Sequence, residues 1–242
     1  MHVAIIGRGR LGRSLAQLLA EAHQVELLGR DEGTSAPIVL LTVPDAEIAQ
    51  AGATLRPGTV VLHCSGTTPF EVLRPHRPAG SFHPLMTFPG PNVGIPALQG
   101  VPAAISGDPE ALDIARDLAL FLGMEPLEVP GDRRLYHAAA VMAGNFATVL
   151  LAEASRALTA AGVDPERAPA LLAPLALQSI KNAGEYGPAA TLTGPVARGD
   201  DTTLHGHRDA LVSAGLSDLL PLYELLIQRA RGLVDEKPVV DG

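Results

Sequence analysis

The chain has 242 residues, 47% of them hydrophobic, a formal net charge of −8, and only 18% charged residues. That is enough apolar side chain for packed domains, and it excludes a disordered chain. No basic stripe is visible, so a nucleic-acid partner is not expected. One cysteine, Cys64, excludes an internal disulfide or a paired-cysteine metal knuckle, and a reducing, cytoplasmic setting is expected.

Val3 to Ile6 is a short apolar run ending in glycine, which reads as a buried parallel strand. Ser14 to Ala22 has helical spacing. Val25 to Leu28, Ile38 to Val43 and Val60 to His63 read as further strands, the second of these stopped by Pro44. Ser81-Phe82 leads into a loop. Val101 to Ile105 is another strand, Ala111 to Leu122 a helix, and Glu125 to Val129 a last edge strand. Strands alternating with helices mean βαβ units, a mostly parallel sheet, and ligand-binding loops on one edge.

From Asp132 the pattern is helical: Arg133 to Ala161, Pro165 to Ala183, Leu204 to Ala214 and Ser217 to Leu233. The expected fold class is therefore an α/β Rossmann domain over residues 1–131 followed by an all-α domain over 132–242. The apolar stretch Leu135 to Ala152 carries His137, Asn145 and Thr148, so it reads as a buried helix rather than a membrane span. The first residues show no small-residue cleavage site, and no membrane partner is expected.

Gly7-Arg8-Gly9-Arg10-Leu11-Gly12 is a G-x-G-x-x-G string directly after a strand and opening a helix. Gly7 permits the turn, Gly9 clears the approach of a pyrophosphate, and Gly12 lets helix and strand pack. The helix N-terminus offers free N–H groups to the phosphates. At the end of the second strand stand Leu28-Gly29-Arg30-Asp31. Arg30 can pair with a 2′-phosphate, and Arg8 and Arg10 add positive charge nearby. NADP is therefore favoured over NAD; Asp31 as a ribose ligand is the competing reading. Val43 and Pro44 end the third strand and Ser65 follows the fourth, positions that flank the ribose and nicotinamide. Plain strand-end turn chemistry explains them equally well.

The chain resembles the superfamily related to 6-phosphogluconate dehydrogenase, which includes pyrroline-5-carboxylate reductases and ketopantoate reductases. More narrowly, it is similar to Rossmann-like proteins with a DUF2520 C-terminal domain. The residues that carry the likeness are Gly7 to Gly12, Thr42 to Asp45, Ser81 to Phe88, Tyr136-His137-Ala138-Ala139, Asn145, and Leu192 to Asp200. The resemblance implies a nicotinamide cofactor and a homodimer formed through the helical domain. It supplies no substrate. A small anionic carbonyl or imine compound is expected by analogy.

Such relatives commonly place a lysine four residues before the asparagine of the interdomain helix. Here Val141 stands four residues before Asn145, and of the 18 basic residues only Lys181 and Lys237 are lysines. Arginine is too weak an acid to substitute. Two explanations stay open. In one, His83 or His137 takes the acid–base role, with His137 and Asn145 on one helix face and Tyr136, one position off it, read as structural. In the other, an already protonated imine needs only orientation, by hydroxyls such as Thr191 and Thr193. Arg198 either clamps a substrate carboxylate or pairs with Asp200 or Asp201. His205-Gly206-His207 lies near Asp200, Asp201 and Asp209, but helical spacing turns the two rings apart, so no metal is expected. A dinucleotide-binding sensor without turnover is the alternative to a reductase.

Overall fold

The structure, a computed structural model, describes residues 1–90 and 92–235. It divides into two compact units, Met1–Asn145 and Phe146–Gly242.

The first unit is built on seven strands: β1 (His2–Ile6), β2 (Gln24–Leu28), β3 (Ile38–Leu41), β4 (Val60–His63), β5 (Ala79–Pro84), β6 (Pro102–Gly107) and β7 (Glu125–Glu128). They lie in the order β2-β1-β3-β4-β5-β6-β7. The first five run parallel, β6 pairs antiparallel to β5, and β7 is parallel to β6. Alternate side chains feed two cores, as the period of a strand demands. Val3, Ile5, Leu40, Leu62 and Phe82 pack with Leu15 and Leu19 of α1 (Arg10–Leu19) and Ala111, Ala115 and Leu118 of α3 (Pro109–Phe121). On the opposite face Ala4, Ile6, Val39, Leu41 and Val61 pack with Ile48 and Ala51 of α2 (Ile48–Ala53). Because β1 to β5 are parallel, the segments after their C-terminal ends share one edge of the sheet. The last helix of this unit is α4 (Arg133–Ala143).

The Ser81-Phe82 segment, expected to enter a loop, is the middle of β5. Its glycine and proline give it little strand character of its own. Pairing on both sides defines it, and a Cβ at Gly80 would stand 2.7 Å from the Ser106 carbonyl oxygen.

The second unit holds α5 (Asn145–Ala160, its first residue shared with the sheet unit), α6 (Ala168–Tyr186), α7 (Pro188–Thr191), α8 (Gly194–Arg198), α9 (Asp201–Ser213) and α10 (Leu220–Asp235). The helix expected from Arg133 to Ala161 is thus interrupted at Gly144. His207 meets the Tyr223 hydroxyl at 2.7 Å, and Arg208 pairs with Glu224, so α9 is tied to α10. An apolar hollow of about 530 Å³ is lined by Leu150, Ala154, Ala157, Leu211 and Leu222.

The expectation of a buried helix at Leu135 to Ala152 is corrected. Leu135 is 73% exposed, and Met142, Phe146 and Val149 are each at least half exposed. An 18-residue window within Arg133–Ala160 reaches a mean hydropathy of 1.5 with none of it buried, long and apolar enough to cross a membrane by those measures alone. On α6, Leu175 and Leu177 are both 68% exposed. Apolar side chains exposed in such numbers are typical of contact surfaces.

Candidate active site

The glycine loop is closed by the chain's own atoms in two places and open in the third. Gly7 has φ +124°, and a Cβ there would meet the Thr42 carbonyl oxygen at 2.6 Å. Thr42 Oγ1 donates to the Gly7 carbonyl at 3.0 Å and holds the turn. A Cβ at Gly12 would stand 2.0 Å from the Gly7 oxygen. Gly9 caps α1, and a Cβ there meets nothing within 4 Å. Open space therefore lies where the first-turn amides of α1, from Arg10, Leu11 and Gly12, point outward, and no acidic residue sits in that turn. The donor set fits the pyrophosphate of a dinucleotide. Leu11 contributes only its backbone, since its side chain packs on the core.

Arg8 and Arg30, beside the loop, are held by carboxylates. Arg8 NH2 donates to both oxygens of Glu32 at 2.8 Å, and Glu32 also accepts from the Gly29 amide at 3.1 Å. Arg30 is paired with Glu47 at 2.6 Å. Arg30, the residue expected to meet a 2′-phosphate, thus rests on a carboxylate. Arg10 lies with its side chain against Gly90, and Asp31 is exposed.

Along the same edge, Val43 and Pro44 lead from β3 into a short 3₁₀ turn, Asp45–Glu47. Ser65 Oγ donates to Asp45 Oδ2 at 2.8 Å and accepts from the Thr67 and Thr68 amides at 3.3 and 3.0 Å. These bonds make Ser65 the organiser of the loop after β4.

The catalytic candidates, from β5 and α4, pack against that loop. His83, near the end of β5, meets the Tyr136 hydroxyl through Nδ1 at 2.8 Å, and their rings stand edge to face at 5.6 Å. The His137 ring lies 6.2 Å from that of His83. Both imidazoles press on Gly66, where a Cβ would meet His137 Cδ2 at 2.6 Å and His83 Nε2 at 2.8 Å. Gly66 therefore has no side chain because two histidines occupy its place. Arg133, the first residue of α4, donates through NH2 to the Ser65 carbonyl at 3.1 Å and lies 5.9 Å above the Tyr136 ring. Behind them His63 is fully buried, its Nδ1 accepting from the Ser65 amide at 3.2 Å.

Burial, with the Arg133 charge next in weight, pushes the His63 imidazole down to about 4. Burial, Arg133 and His137 push His83 down to about 4 as well. Both rings are neutral at pH 7. Burial raises the Tyr136 phenol above its ordinary value, while Arg133 pulls the other way, so Tyr136 keeps its proton. Neutral His83 is no imidazolium acid, and the group beside it with a proton to give is Tyr136. The helix-face argument that set Tyr136 aside as structural counted positions along one helix. It could not register a residue on a strand 53 positions earlier in the chain.

His83, Tyr136, His137 and Asn145 line one cavity of about 540 Å³, and Val141 is also in its lining. Thr193 and Arg198 lie in the helical unit, Thr193 capping α8 and Arg198 ending it. Asp200 caps α9 through Thr203, and Asp201 pairs with Arg231 at 2.5 Å. Thr191 donates to the Gly187 carbonyl at 2.9 Å within its own turn. Lys181 is on α6, and Lys237 lies outside the described residues. Among the described residues no group of three or more His, Cys, Asp or Glu could hold a metal ion. His205 lies 3.8 Å from Asp209, whereas His207 meets Tyr223.

Residues 101–230, more than half of the chain, match the domain of unknown function DUF2520, and residues 24–89 match a Rossmann-like domain. The chain belongs to the DUF2520 family. No curated protein matches it. Several solved structures share its fold. A Bacteroides fragilis protein provisionally named an NADP oxidoreductase is 20% identical, with 96% of this chain and 98% of that one covered and a TM-score of 0.79. A Thermotoga maritima protein is 24% identical, with 96% and 98% covered and a TM-score of 0.73. A reductive aminase from Aspergillus terreus, in complex with NADPH and ethyl-5-oxohexanoate, is 18% identical, with 97% and 98% covered and a TM-score of 0.67. At such identities the likeness is one of fold. Residues Arg133, Tyr136, His137 and Asn145 of the site fall inside the DUF2520 match, while Gly66 and His83 fall in the Rossmann-like one.

Proposed function

We propose that this DUF2520 protein is an NADP-dependent reductase acting on a small anionic imine or carbonyl compound. The observation that carries the reading is the Tyr136–His83 contact, a protonated phenol on a neutral imidazole. It lies at the sheet edge that also holds the open glycine loop. Gly7, Gly9 and Gly12 shape the pyrophosphate cradle, and Arg8 and Arg30 receive the 2′-phosphate by exchanging their carboxylate partners for it. Exposed ion pairs are weak, and a dianionic phosphate competes well for them. A reduced nicotinamide bound at this edge supplies a hydride to the substrate's C=N or C=O carbon.

The chain's own residues then manage the proton. Carrying its proton on Nδ1, His83 donates to the Tyr136 oxygen and leaves the phenolic O–H free for the substrate nitrogen or oxygen. Asn145 and His137 orient the substrate in the cavity. Thr193 and Arg198 belong to the proposal as substrate contacts from the helical unit. The exposed apolar side chains of α5 and α6 form the interface of a homodimer, and the single buried cysteine suits a cytoplasmic protein. The Arg133 side chain, held on the sheet unit's Ser65, ties the first turn of α4 to that unit and argues against a spanning role for the apolar helix.

The test is to incubate the protein with NADPH and a panel of cyclic imines and 2-oxo acids and follow the loss of reduced-cofactor absorbance. Turnover of a member of the panel is expected. Tight NADPH binding with no turnover across it would favour a dinucleotide sensor.

A further inference from the structure

Arg133 is the one arginine among the described residues that is only partly exposed and has no carboxylate partner. Its NH2 reaches the Ser65 carbonyl, while its Nε and NH1 are buried without a hydrogen bond. A buried cation left unpaired is costly, so a site that keeps one has a use for the charge. The groups that bear on it come from four segments. They are His63 and Ser65 at the end of β4, His83 of β5, Tyr136 of α4, and Glu71 on the short turn after β4; Asp45, on the 3₁₀ turn after β3, and His137 act on the histidines. Glu71 acts on it electrostatically without pairing. The guanidinium carbon lies over the Tyr136 ring, 5.9 Å from its centre.

We infer that Arg133 is a positioning residue whose fixed charge stabilises the phenolate left on Tyr136 when its proton goes to the substrate. The inference rests on Tyr136 being the proton donor. When the O–H bond breaks, the negative charge on the Tyr136 oxygen is met by the Nδ1–H of His83 and by the guanidinium above the ring. The same cation disfavours a second proton on His83, which keeps that ring from becoming the acid itself. The hydrogen bond to Ser65 holds the loop whose Gly66 both histidines rest on, so the charge and the geometry are delivered by one side chain.

A purely structural role would behave differently, and the direction of one titration separates the two. If Arg133 merely packs the site, its loss lets water in. Relief of burial then moves His83 up and Tyr136 down, each toward its ordinary value. If Arg133 acts through its charge, its loss moves both up, by on the order of one unit.

The experiment is an NMR titration of the full chain, parent and Arg133→Met, with the three tyrosines assigned with the help of Tyr136→Phe. Upward movement of Tyr136 together with His83 is the expected result, with Arg133→Lys closer to the parent than Arg133→Met. Downward or absent movement of Tyr136 overturns the inference. Should Arg133→Met fail to fold, a second neutral variant takes its place. In that case Arg133→Gln is titrated against Arg133→Lys: Tyr136 and His83 both higher in the neutral variant supports the inference, and Tyr136 lower or equal in it overturns the inference. Full turnover by Tyr136→Phe would instead sink the proton-donor reading, whatever Arg133 does.

Discussion

The hydroxyl of Tyr136 and Nδ1 of His83 stand 2.8 Å apart, on two elements separated by 53 residues of sequence. Each group is held in its neutral form, the phenol by burial and the imidazole by burial and the nearby Arg133 charge. A histidine acid loses activity as pH rises through its pKa. A phenol of raised pKa does not. The expected kcat/KM profile is therefore flat from about pH 5 to 9. A fall as pH rises through 6 to 7 would return the acid role to a histidine.

Stability should carry the opposite signature. His63 and His83 have folded values near 4, against about 6.5 in the unfolded chain, so the unfolded state takes up protons first. Their contribution is fully present above pH 6.5 and is lost as pH falls toward 4. For His63 the loss amounts to about 3 kcal/mol across that window. Urea unfolding at pH 7.5, 6 and 4.5 reads it, and a midpoint independent of pH would contradict it.

The glycines of the loop should separate by role. At Gly12 an added Cβ meets the Gly7 carbonyl oxygen at 2.0 Å, so Gly12→Ala disrupts folding. At Gly9 nothing stands within 4 Å, so Gly9→Ala should fold with an unchanged melting temperature. Its methyl would occupy the space proposed for pyrophosphate, and NADPH affinity should fall at least tenfold by fluorescence titration. Unchanged affinity would move the cofactor away from this loop.

Gly66→Ala tests the histidine platform. Its methyl would press on His137 at 2.6 Å and His83 at 2.8 Å, forcing both rings to shift. A displacement of that size is expected to cost about 10²-fold in kcat/KM. NADPH affinity, measured in parallel, should change far less than turnover.

Much of the sheet was legible because apolar runs between glycines and prolines are what parallel strands look like, as at Val3 to Ile6 and Val60 to His63. The glycine loop was legible for the same local reason. β5 was not: Ala79, Gly80 and Pro84 have little strand preference, and only its two neighbours make it one. The site divided along the same line. His83, His137, Ser65 and Asn145 could be picked out by residue type and position. Arg133, Gly66 and the part played by Tyr136 could not, since each depends on a contact between distant segments that no periodicity records.

The apolar faces give a separate expectation. Leu175 and Leu177 on α6 are each 68% exposed in one chain. If a second copy covers them, the double variant Leu175→Glu/Leu177→Glu should be a monomer by light scattering while the parent is a dimer. A monomeric parent would remove the proposed interface.

The most direct measurement is the Tyr136→Phe variant, assayed with NADPH and whichever imine or oxo acid the parent turns over. The phenol oxygen is removed while the ring facing Arg133 and His83 is kept. A fall in kcat of about 10²- to 10⁴-fold, with NADPH affinity unchanged, is the predicted result. Turnover within about twofold of the parent would contradict the assignment of Tyr136 as the proton donor.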